Sequence, residues 1–283
     1  MQSVSTRKRW LICALICVLI LAIFCSCTDK RQKEESEITK LLASGAELEY
    51  GAIKLISLNA ERIGGTLYKQ MQGGCTDGKY MYFAMNDTLS TDSLTVIYRF
   101  PIGQSSPDLI SEPLRLDHAN DMTYHEGIGR IIVVHNAPNR TMISFLNPET
   151  LTVVGTATLP LEIFSMQYNA RRKLYVVGIS GGQDFAFLDE NFHMLRKFEV
   201  ESTGYTTQGV DADDEYIYFV QYNLNVVVIY DWEGKRQAII PLAISMNEPE
   251  NIFHADGLFY VGCAKNGLNC FGIYLRKKDL SST

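Results

Sequence analysis

The sequence predicts an all-β fold, a β-propeller of five four-stranded blades behind an N-terminal export signal and a short polar stalk. Three observations predict it: a repeat of about 42 residues, strands that are apolar on both faces, and polar turn residues that close each strand. The predicted segments are 1–27 for the signal or anchor, 28–48 for the linker and 49–279 for the propeller. Six blades are the alternative, if residues 50–70 contain a degenerate copy of the repeat.

The first 27 residues have the pattern of an export signal. Basic residues at positions 7–9 precede the apolar run Trp10–Phe24, which is short for a membrane span of about 20 residues. Ser26-Cys27 resembles the end of a bacterial lipobox, although Phe24 stands where leucine is usual, and this predicts a lipid anchor on Cys27. An uncleaved signal anchor is the alternative. Both readings place the rest of the chain on the extracytoplasmic side of a membrane.

The segment after the signal and the overall charge limit the classes of partner. Residues 28–48 are polar and mixed in charge, which is typical of a stalk that holds a domain off a membrane. The 283-residue chain has a formal net charge of −6. Because an acidic surface repels a polyphosphate backbone, we expect no nucleic acid among its partners.

One unit of the repeat is a polar turn followed by a short apolar or aromatic strand. Its copies start at Asp77, Gly129, Arg172, Asp214 and Asp256. The last three copies share a tyrosine in register, at Tyr175, Tyr218 and Tyr260. The spacing lies in the range of a four-stranded propeller blade.

A second unit follows each first one and ends in a turn-opening residue. Asn147, Asp189 and Asp231 occupy this place at intervals of 42 residues. The strands Ile131–Val134 and Val226–Tyr230 are apolar on both faces, as expected when each blade is packed between two neighbours. Their β-branched residues disfavour a helix.

The two ends of the domain are predicted to pair. The fifth copy runs out after Leu275, so its outer strand must come from elsewhere. Ala52–Leu58 is an unassigned strand at the start of the domain. We expect it to complete the last blade and close the ring, because closure leaves no open seam.

Within the repeat, the segments Met142–Val154 and Lys173–Val176 resemble the YVTN-type propeller repeats of bacterial surface and periplasmic proteins. The shared pattern is an apolar strand, a polar turn with threonine, and a second apolar strand. The resemblance covers most of residues 66–275, and it departs in the first blade, where the spacing is longer and the threonine-rich turn is missing. It implies the fold and gives no activity, because such repeats serve binding proteins, lactonases and other roles.

Polar residues cluster where the innermost strand of each blade is expected to begin, at the mouth of the central channel. The candidate ligand-binding residues are Gln72, His118, Asn120, Asp121, Gln208, Glu248, Glu250 and Asn251. Convergent polar groups in a concavity indicate a site. The alternative is that these residues only line a wet channel, with Gly73 and Gly209 relieving crowding near the axis.

Three kinds of channel chemistry remain open at this point. Oxygen ligands such as Glu250 and Asn120 suit Ca²⁺, and a weak analogy exists with SMP-30-type lactonase propellers that bind a divalent metal. Asp121 and Glu250 suit acid–base hydrolysis, if their separation is right. The third is recognition of a small molecule, glycan or envelope protein without a reaction. The favoured function is therefore a membrane-anchored binding module, with a metal-dependent hydrolase as the alternative and an assembly factor using the outer surface as a third option.

The cysteines and histidines indicate little metal chemistry. Cys263 and Cys270 flank Asn266-Gly267, so a two-residue hairpin would place them opposite each other. A disulfide is possible in an oxidising compartment, but the wide pair of an antiparallel ladder strains it, and both outcomes remain open. No CxxC pair exists, which excludes a cysteine zinc site. His254 is expected at the surface or in a turn.

Overall fold

The computed structural model describes residues 36–87, 94–244, 247–255, 257–264 and 267–278. The predicted signal over residues 1–27, with Cys27, lies outside these described residues. Within the described part of the chain, no helix is both long enough and apolar enough to cross a membrane. Contacts divide the chain into residues 1–44 and 45–283. In the first unit, helix α1 (Glu37–Ala43) begins after Ser36, whose Oγ accepts the Thr39 N–H as an N-cap.

The second unit is a β-propeller whose described residues form five blades of antiparallel strands. Two strands precede the first blade: β1 (Leu48–Asn59) and β2 (Glu61–Ile63). Blade 1 contains β3 (Thr66–Thr76), β4 (Tyr80–Asp87), β5 (Leu94–Pro101), β6 (Leu109–Ile110) and β7 (Leu114–Arg115). Blade 2 contains β8 (Asp121–His125), β9 (Arg130–Val134), β10 (Met142–Leu146) and β11 (Val153–Thr158).

The remaining blades follow the same order from the inside of the ring to the outside. Blade 3 contains β12 (Ile163–Asn169), β13 (Leu174–Ile179), β14 (Phe185–Asp189) and β15 (Met194–Phe198). Blade 4 contains β16 (Thr206–Ala212), β17 (Tyr216–Tyr222), β18 (Val226–Asp231) and β19 (Arg236–Pro241). Blade 5 contains β20 (Glu248–Ala255), β21 (Leu258–Ala264) and β22 (Gly267–Lys277).

The ring closes by pairing the two ends of the domain. Strand β1 runs antiparallel to β22 from Leu48 opposite Lys277 to Asn59 opposite Gly267, and so forms the outer strand of blade 5. The predicted closure is therefore confirmed, and residues 50–70 supply a closing strand instead of a sixth blade. The carbonyl of Tyr50 also accepts the Ala243 N–H, which ties β1 to blade 4.

Apolar layers between neighbouring blades form the core. The middle strands are buried on both faces, and β9 shows this with Ile131, Ile132, Val133 and Val134 all fully buried. Alternate residues of β9 pack against blade 1 and blade 3, which is why the strand has no polar face. The five-blade prediction and its physical reason are both confirmed.

The repeated aspartates and asparagine fix the turns between strands. Oδ1 of Asp231 accepts the N–H groups of Glu233 and Lys235, and Asp189 and Asn147 make the same kind of turn. Asp213 caps the preceding turn of blade 4 and also accepts the Tyr218 hydroxyl at 2.7 Å. Short polar side chains that satisfy local N–H groups thus set each strand boundary.

The possible Cys263–Cys270 disulfide is not formed, and both thiols are free and buried. Cys263 pairs with Asn269, whereas Cys270 pairs with Gly262. This register differs by one residue from the symmetric hairpin that the sequence suggested, and adjacent strand positions point to opposite faces of a sheet. Residues 265–266 of that turn lie outside the described residues.

We predict that the closing strand contributes strongly to stability through its buried face. Ile56 is 1% exposed in the layer between blades 5 and 1, whereas Ile53 of the same strand is 58% exposed. Ile56→Ala should lower the free energy of unfolding in urea by about 2–5 kcal/mol, because it leaves a cavity. The matched variant Ile53→Ala should change it by no more than about 0.5 kcal/mol. Equal effects of the two changes would contradict closure through β1.

Candidate functional site

The innermost strands β3, β8, β12, β16 and β20 contact one another in a ring around the channel. We call the end where these strands begin the N-terminal mouth and the end where they finish the C-terminal mouth. The strands approach closely, because a Cβ atom on Gly209 would lie 2.5 Å from Cα of Asn251. Gly209 therefore has the crowding role that the sequence suggested for it.

Four of the five inner strands have an irregular register near the N-terminal mouth. The shifts lie between Met71 and Gly74, Ile163 and Ser165, Thr207 and Val210, and Pro249 and Asn251. A β-bulge removes a residue from the ladder and re-aims its side chain. Gln72, Gln208 and Glu250 are residues inside these bulges. Three of the predicted site residues thus occupy positions that do not serve regular pairing.

The bulges bring four predicted residues into one polar cluster, which we call the mouth cluster: Gln72, Gln208, Glu248 and Glu250. Nε2 of Gln208 donates to Oε1 of Glu248 at 3.3 Å. The side chain of Gln72 is hydrogen-bonded to Glu250. The cluster therefore joins blades 1, 4 and 5 at the channel.

Glu250 is the residue with the most perturbed carboxyl group in this cluster. It is 3% exposed, and burial, followed by the charge of Glu248, raises its pKa to about 9 despite the hydrogen bond from Gln72. Burial also raises the pKa of Glu248. Glu250 is accordingly protonated at neutral pH and offers a hydroxyl donor beside the acceptor oxygens of Glu248.

Two cavities adjoin the mouth cluster on either side of the Gln208–Glu248 hydrogen bond. One has a volume of about 720 Å³ and includes Asn120, Gln183 and Gln208 among its lining residues. The other has a volume of about 760 Å³ and includes Asn225, Asn247 and Glu248. Both volumes lie within the range of small-molecule sites. Both linings include amide side chains, and the 720 Å³ cavity also has hydroxyl groups, Arg140 and Asp184 in its wall.

Two other predicted residues lie between blades instead of in the open site. Asp121 is 2% exposed, and its carboxylate accepts the N–H groups of Met122 at 2.9 Å and Met166 at 3.1 Å. Asn251 is fully buried, donates to the carbonyl of Gln72 and accepts the Gly262 N–H at 3.1 Å. These side chains hold adjacent inner strands together, so their hydrogen-bonding capacity is used inside the protein.

The remaining two predicted residues lie apart from the mouth cluster in different settings. Asn120 lines the 720 Å³ cavity, donates to the carbonyl of Phe164 at 3.0 Å and accepts from Asn136 at 3.1 Å. His118 has a positive φ of 68° on the connection before β8, and burial lowers its pKa despite the opposing charge of Asp87. Asn120 is available at the cavity wall, and His118 is neutral at pH 7.

The C-terminal mouth holds a pair of residues that sequence analysis missed. His254 lies in β20 rather than in a turn or on the open surface, and its Nδ1 contacts Oδ2 of Asp211, which is 1% exposed. Burial opposes the charged imidazole, but the neighbouring Asp211 carboxylate outweighs it and raises the pKa of His254. The only sign of this pair in the sequence is that Asp211 and His254 are separated by about the length of one blade repeat. They line a cavity of about 210 Å³ with Thr76, Tyr124 and Gln167.

Calcium binding by oxygen ligands at the mouth stays a prediction. Among the residues that the structure describes, no group of three or more His, Cys, Asp or Glu side chains is placed to hold a metal ion. Glu248 and Glu250 are the two carboxyl groups of the mouth cluster, and the Asp121 carboxyl group is used in contacts between blades.

Comparison with known proteins supports the architecture. No protein-family model matches the sequence, and no curated protein matches it. The structure is similar to a glutaminyl cyclase of Myxococcus xanthus, with a TM-score of 0.59 and 12% identity over 82% of this chain and 100% of that chain. It also matches a chain of a nidogen/laminin complex, with a TM-score of 0.49 and 10% identity over 76% of this chain and 85% of that chain. At such identities the likeness to the cyclase shows the fold alone, and this chain is a β-propeller protein.

We predict that Glu250 makes the folded state less stable as pH rises. Its pKa is about 9 in the fold and near 4.5 when unfolded, so stability is fully present below about pH 4.5 and declines toward pH 9. Glu250→Gln should remove this decline and stabilise the protein at pH 8 by up to about 5 kcal/mol, with little effect at pH 4.5. Urea unfolding from pH 4.5 to 8.5 measures this.

The matched control is Glu199→Gln, at an exposed carboxylate whose side chain is 84% accessible. The stability of this variant should decline with rising pH in the same way as that of the unmodified protein. Parallel stability curves for Glu250→Gln and the unmodified protein would show that Glu250 is ionised in the fold.

Proposed function

We propose that this protein is an exported, membrane-anchored propeller that binds a polar ligand, a glycan or a short peptide, at its N-terminal mouth. The observation that carries the proposal is the mouth cluster, in which Glu248 and Gln208 each line one of two adjoining cavities. The cluster also contains the buried, protonated Glu250. Amides and a neutral carboxyl group supply both donors and acceptors without a strong net charge. Such a set suits hydroxyl and amide groups of an uncharged ligand.

Membrane anchoring enters the proposal from the N-terminal sequence. A basic segment at 7–9, the apolar run Trp10–Phe24 and Ser26-Cys27 support export followed by lipidation. A tether at this end would present the propeller to ligands of the cell envelope. If the mouth binds no ligand, a role as an assembly factor that uses only the outer surface is favoured instead.

A hydrolase at the same mouth is the second candidate. The observation that favours it is the difference between two adjacent carboxyl groups, since Glu250 has a pKa of about 9 and Glu248 a smaller rise. Neighbouring carboxyl groups with separated pKa values are suited to acid and base roles. Turnover of a bound glycan or peptide that is lost in Glu250→Gln, with binding retained, would favour this candidate over simple recognition.

We predict that ligand binding depends on the hydrogen-bonding groups of the mouth cluster. The full chain in a polyoxyethylene detergent would be titrated calorimetrically with a panel of neutral disaccharides and tripeptides. Gln208→Ala and Glu248→Gln should each weaken binding of an active compound about tenfold, the effect of losing a hydrogen bond in a cavity. The exposed Gln237→Ala of β19 is the matched control and should bind normally. Absence of binding across the panel, or binding unchanged in both variants, would contradict the proposal.

We predict that Cys27 is the site of the lipid anchor. Cys27→Ser should release the protein from the membrane fraction of the producing cell and abolish incorporation of a labelled fatty acid, since no other thiol would be lipidated. Cys25→Ser changes a neighbouring thiol within the signal and should retain both the label and the membrane location. Membrane retention of Cys27→Ser without label would instead assign an uncleaved signal anchor.

A further inference from the structure

We propose that a cavity between blades 2 and 3, remote from the mouth cluster, binds a small quaternary or methylated ammonium ion. This aromatic cavity has a volume of about 350 Å³, and its lining includes His125, Phe145, Tyr175, Glu190 and Phe192. None of these residues takes part in the function proposed above. Binding at this cavity is therefore independent of the function proposed above.

Aromatic rings from three different parts of the two blades converge on the cavity. The Phe145 and Phe192 rings lie 6.2 Å apart at 48°, and the Tyr175 and Phe192 rings lie 5.1 Å apart at 28°. The imidazole of His125 meets Tyr175 edge-on at 5.7 Å. Phe145 and Phe192 remain partly exposed, so aromatic surface is open to a ligand. Clustered aromatic surface of this kind attracts cations through the ring quadrupoles.

A carboxylate at the rim supplies the charge that such a ligand requires. The Glu190 side chain is 44% accessible, and its Oε1 accepts the Tyr168 hydroxyl at 2.7 Å. Its nearest basic group is Nε2 of His125 at 3.8 Å. Burial lowers the pKa of His125 even though Glu190 and Glu126 oppose this, so the ring is neutral at pH 7. Among the described residues, no lysine or arginine forms an ion pair with Glu190.

The backbone at Phe192 shows that a large ring is kept where glycine would be easier. Phe192 has a φ of +64°, and the equivalent turn position of blade 4 is Gly234 with a φ of +83°. In both turns this N–H donates to the carbonyl of the turn-opening residue, Asp189 or Asp231. A bulky residue in the left-handed region costs about 1–2 kcal/mol relative to glycine. This conformational cost falls at Phe192, whose ring forms part of the wall of the aromatic cavity.

The composition of the lining selects the class of cation. A primary ammonium or a guanidinium brings several N–H donors, each of which needs an acceptor on desolvation. Glu190 and the Tyr175 hydroxyl are the side-chain acceptors among the residues named for the cavity, because Nδ1 of His125 already accepts the Gly127 N–H. A quaternary ammonium has no N–H group. Its methyl groups can pack against the rings, and its positive charge is attracted by the Glu190 carboxylate. The chemistry therefore favours choline-like compounds over lysine or arginine side chains.

The experiment compares choline with its neutral isostere 3,3-dimethylbutan-1-ol, using calorimetric titration of the full chain in a polyoxyethylene detergent. Choline should bind, and the isostere should bind at least about tenfold more weakly, because the two differ only in charge. Glu190→Gln keeps an acceptor for Tyr168 and should weaken choline binding about tenfold. The matched control Glu126→Gln removes a nearby carboxylate that does not line the aromatic cavity and should bind choline normally.

A second variant separates binding from folding. Phe192→Gly removes the ring and relieves the positive φ, so the chain should still unfold cooperatively while choline binding is lost. Phosphatidylcholine vesicles added in a separate arm distinguish a lipid headgroup from a free compound as the source. Choline binding that depends on Glu190 supports the site, and competition by the vesicles would assign it to a lipid headgroup. Equal affinity for choline and the isostere, no choline binding, or unchanged affinity in Glu190→Gln would overturn the proposal.

Discussion

Antiparallel pairing between β1 and β22 closes the ring of blades. It completes the outer strand of blade 5 with residues from the start of the domain and brings Ile56 into the layer between blades 5 and 1. Without it, β22 would expose a row of unpaired backbone groups, and blade 5 would lose part of its apolar cover. Closure also fixes the positions of the inner strands relative to one another. The channel and the cavities at its mouths exist only because those strands are held in a ring.

Polar groups on the inner strands divide into two populations with different physical roles. Asp121 and Asn251 are buried between strands and satisfy backbone N–H and carbonyl groups that the ring would otherwise leave unpaired. Gln72, Gln208 and Glu250 lie in bulges, where the ladder does not use them. The burial that raises the pKa of Glu250 accompanies this placement on inner strands that approach each other closely. Structural cohesion and site chemistry are thus supplied by different residues of the same strands.

The surface cavities differ in the ligands that their linings suit. At the N-terminal mouth, the lining amides Gln208, Asn225 and Asn247 suit the uncharged hydrogen-bonding ligand that we propose. The aromatic cavity between blades 2 and 3 combines the partly exposed rings of Phe145 and Phe192 with the charge of Glu190, which suits the cation without N–H donors that we propose. The C-terminal mouth holds the Asp211–His254 pair, a coupled acid and base in a smaller space. The propeller therefore has cavities with different linings at its two mouths and between blades 2 and 3.

The residue pattern alone predicts the all-β class, the five blades, the repeated turns at Asn147, Asp189 and Asp231, and the closing strand, because strands and turns depend on contiguous residues. It also places Gln208 and Glu250 near the channel. The folded ring is needed to show which polar residues line a cavity and which hold blades together, since a bulge or a one-residue change of register moves a side chain to another face. A one-residue change of register also separates Cys263 from Cys270. His254 meets Asp211 because blades 4 and 5 pack against each other. Contacts between blades depend on how the sheets pack, and a local sequence pattern does not predict that packing.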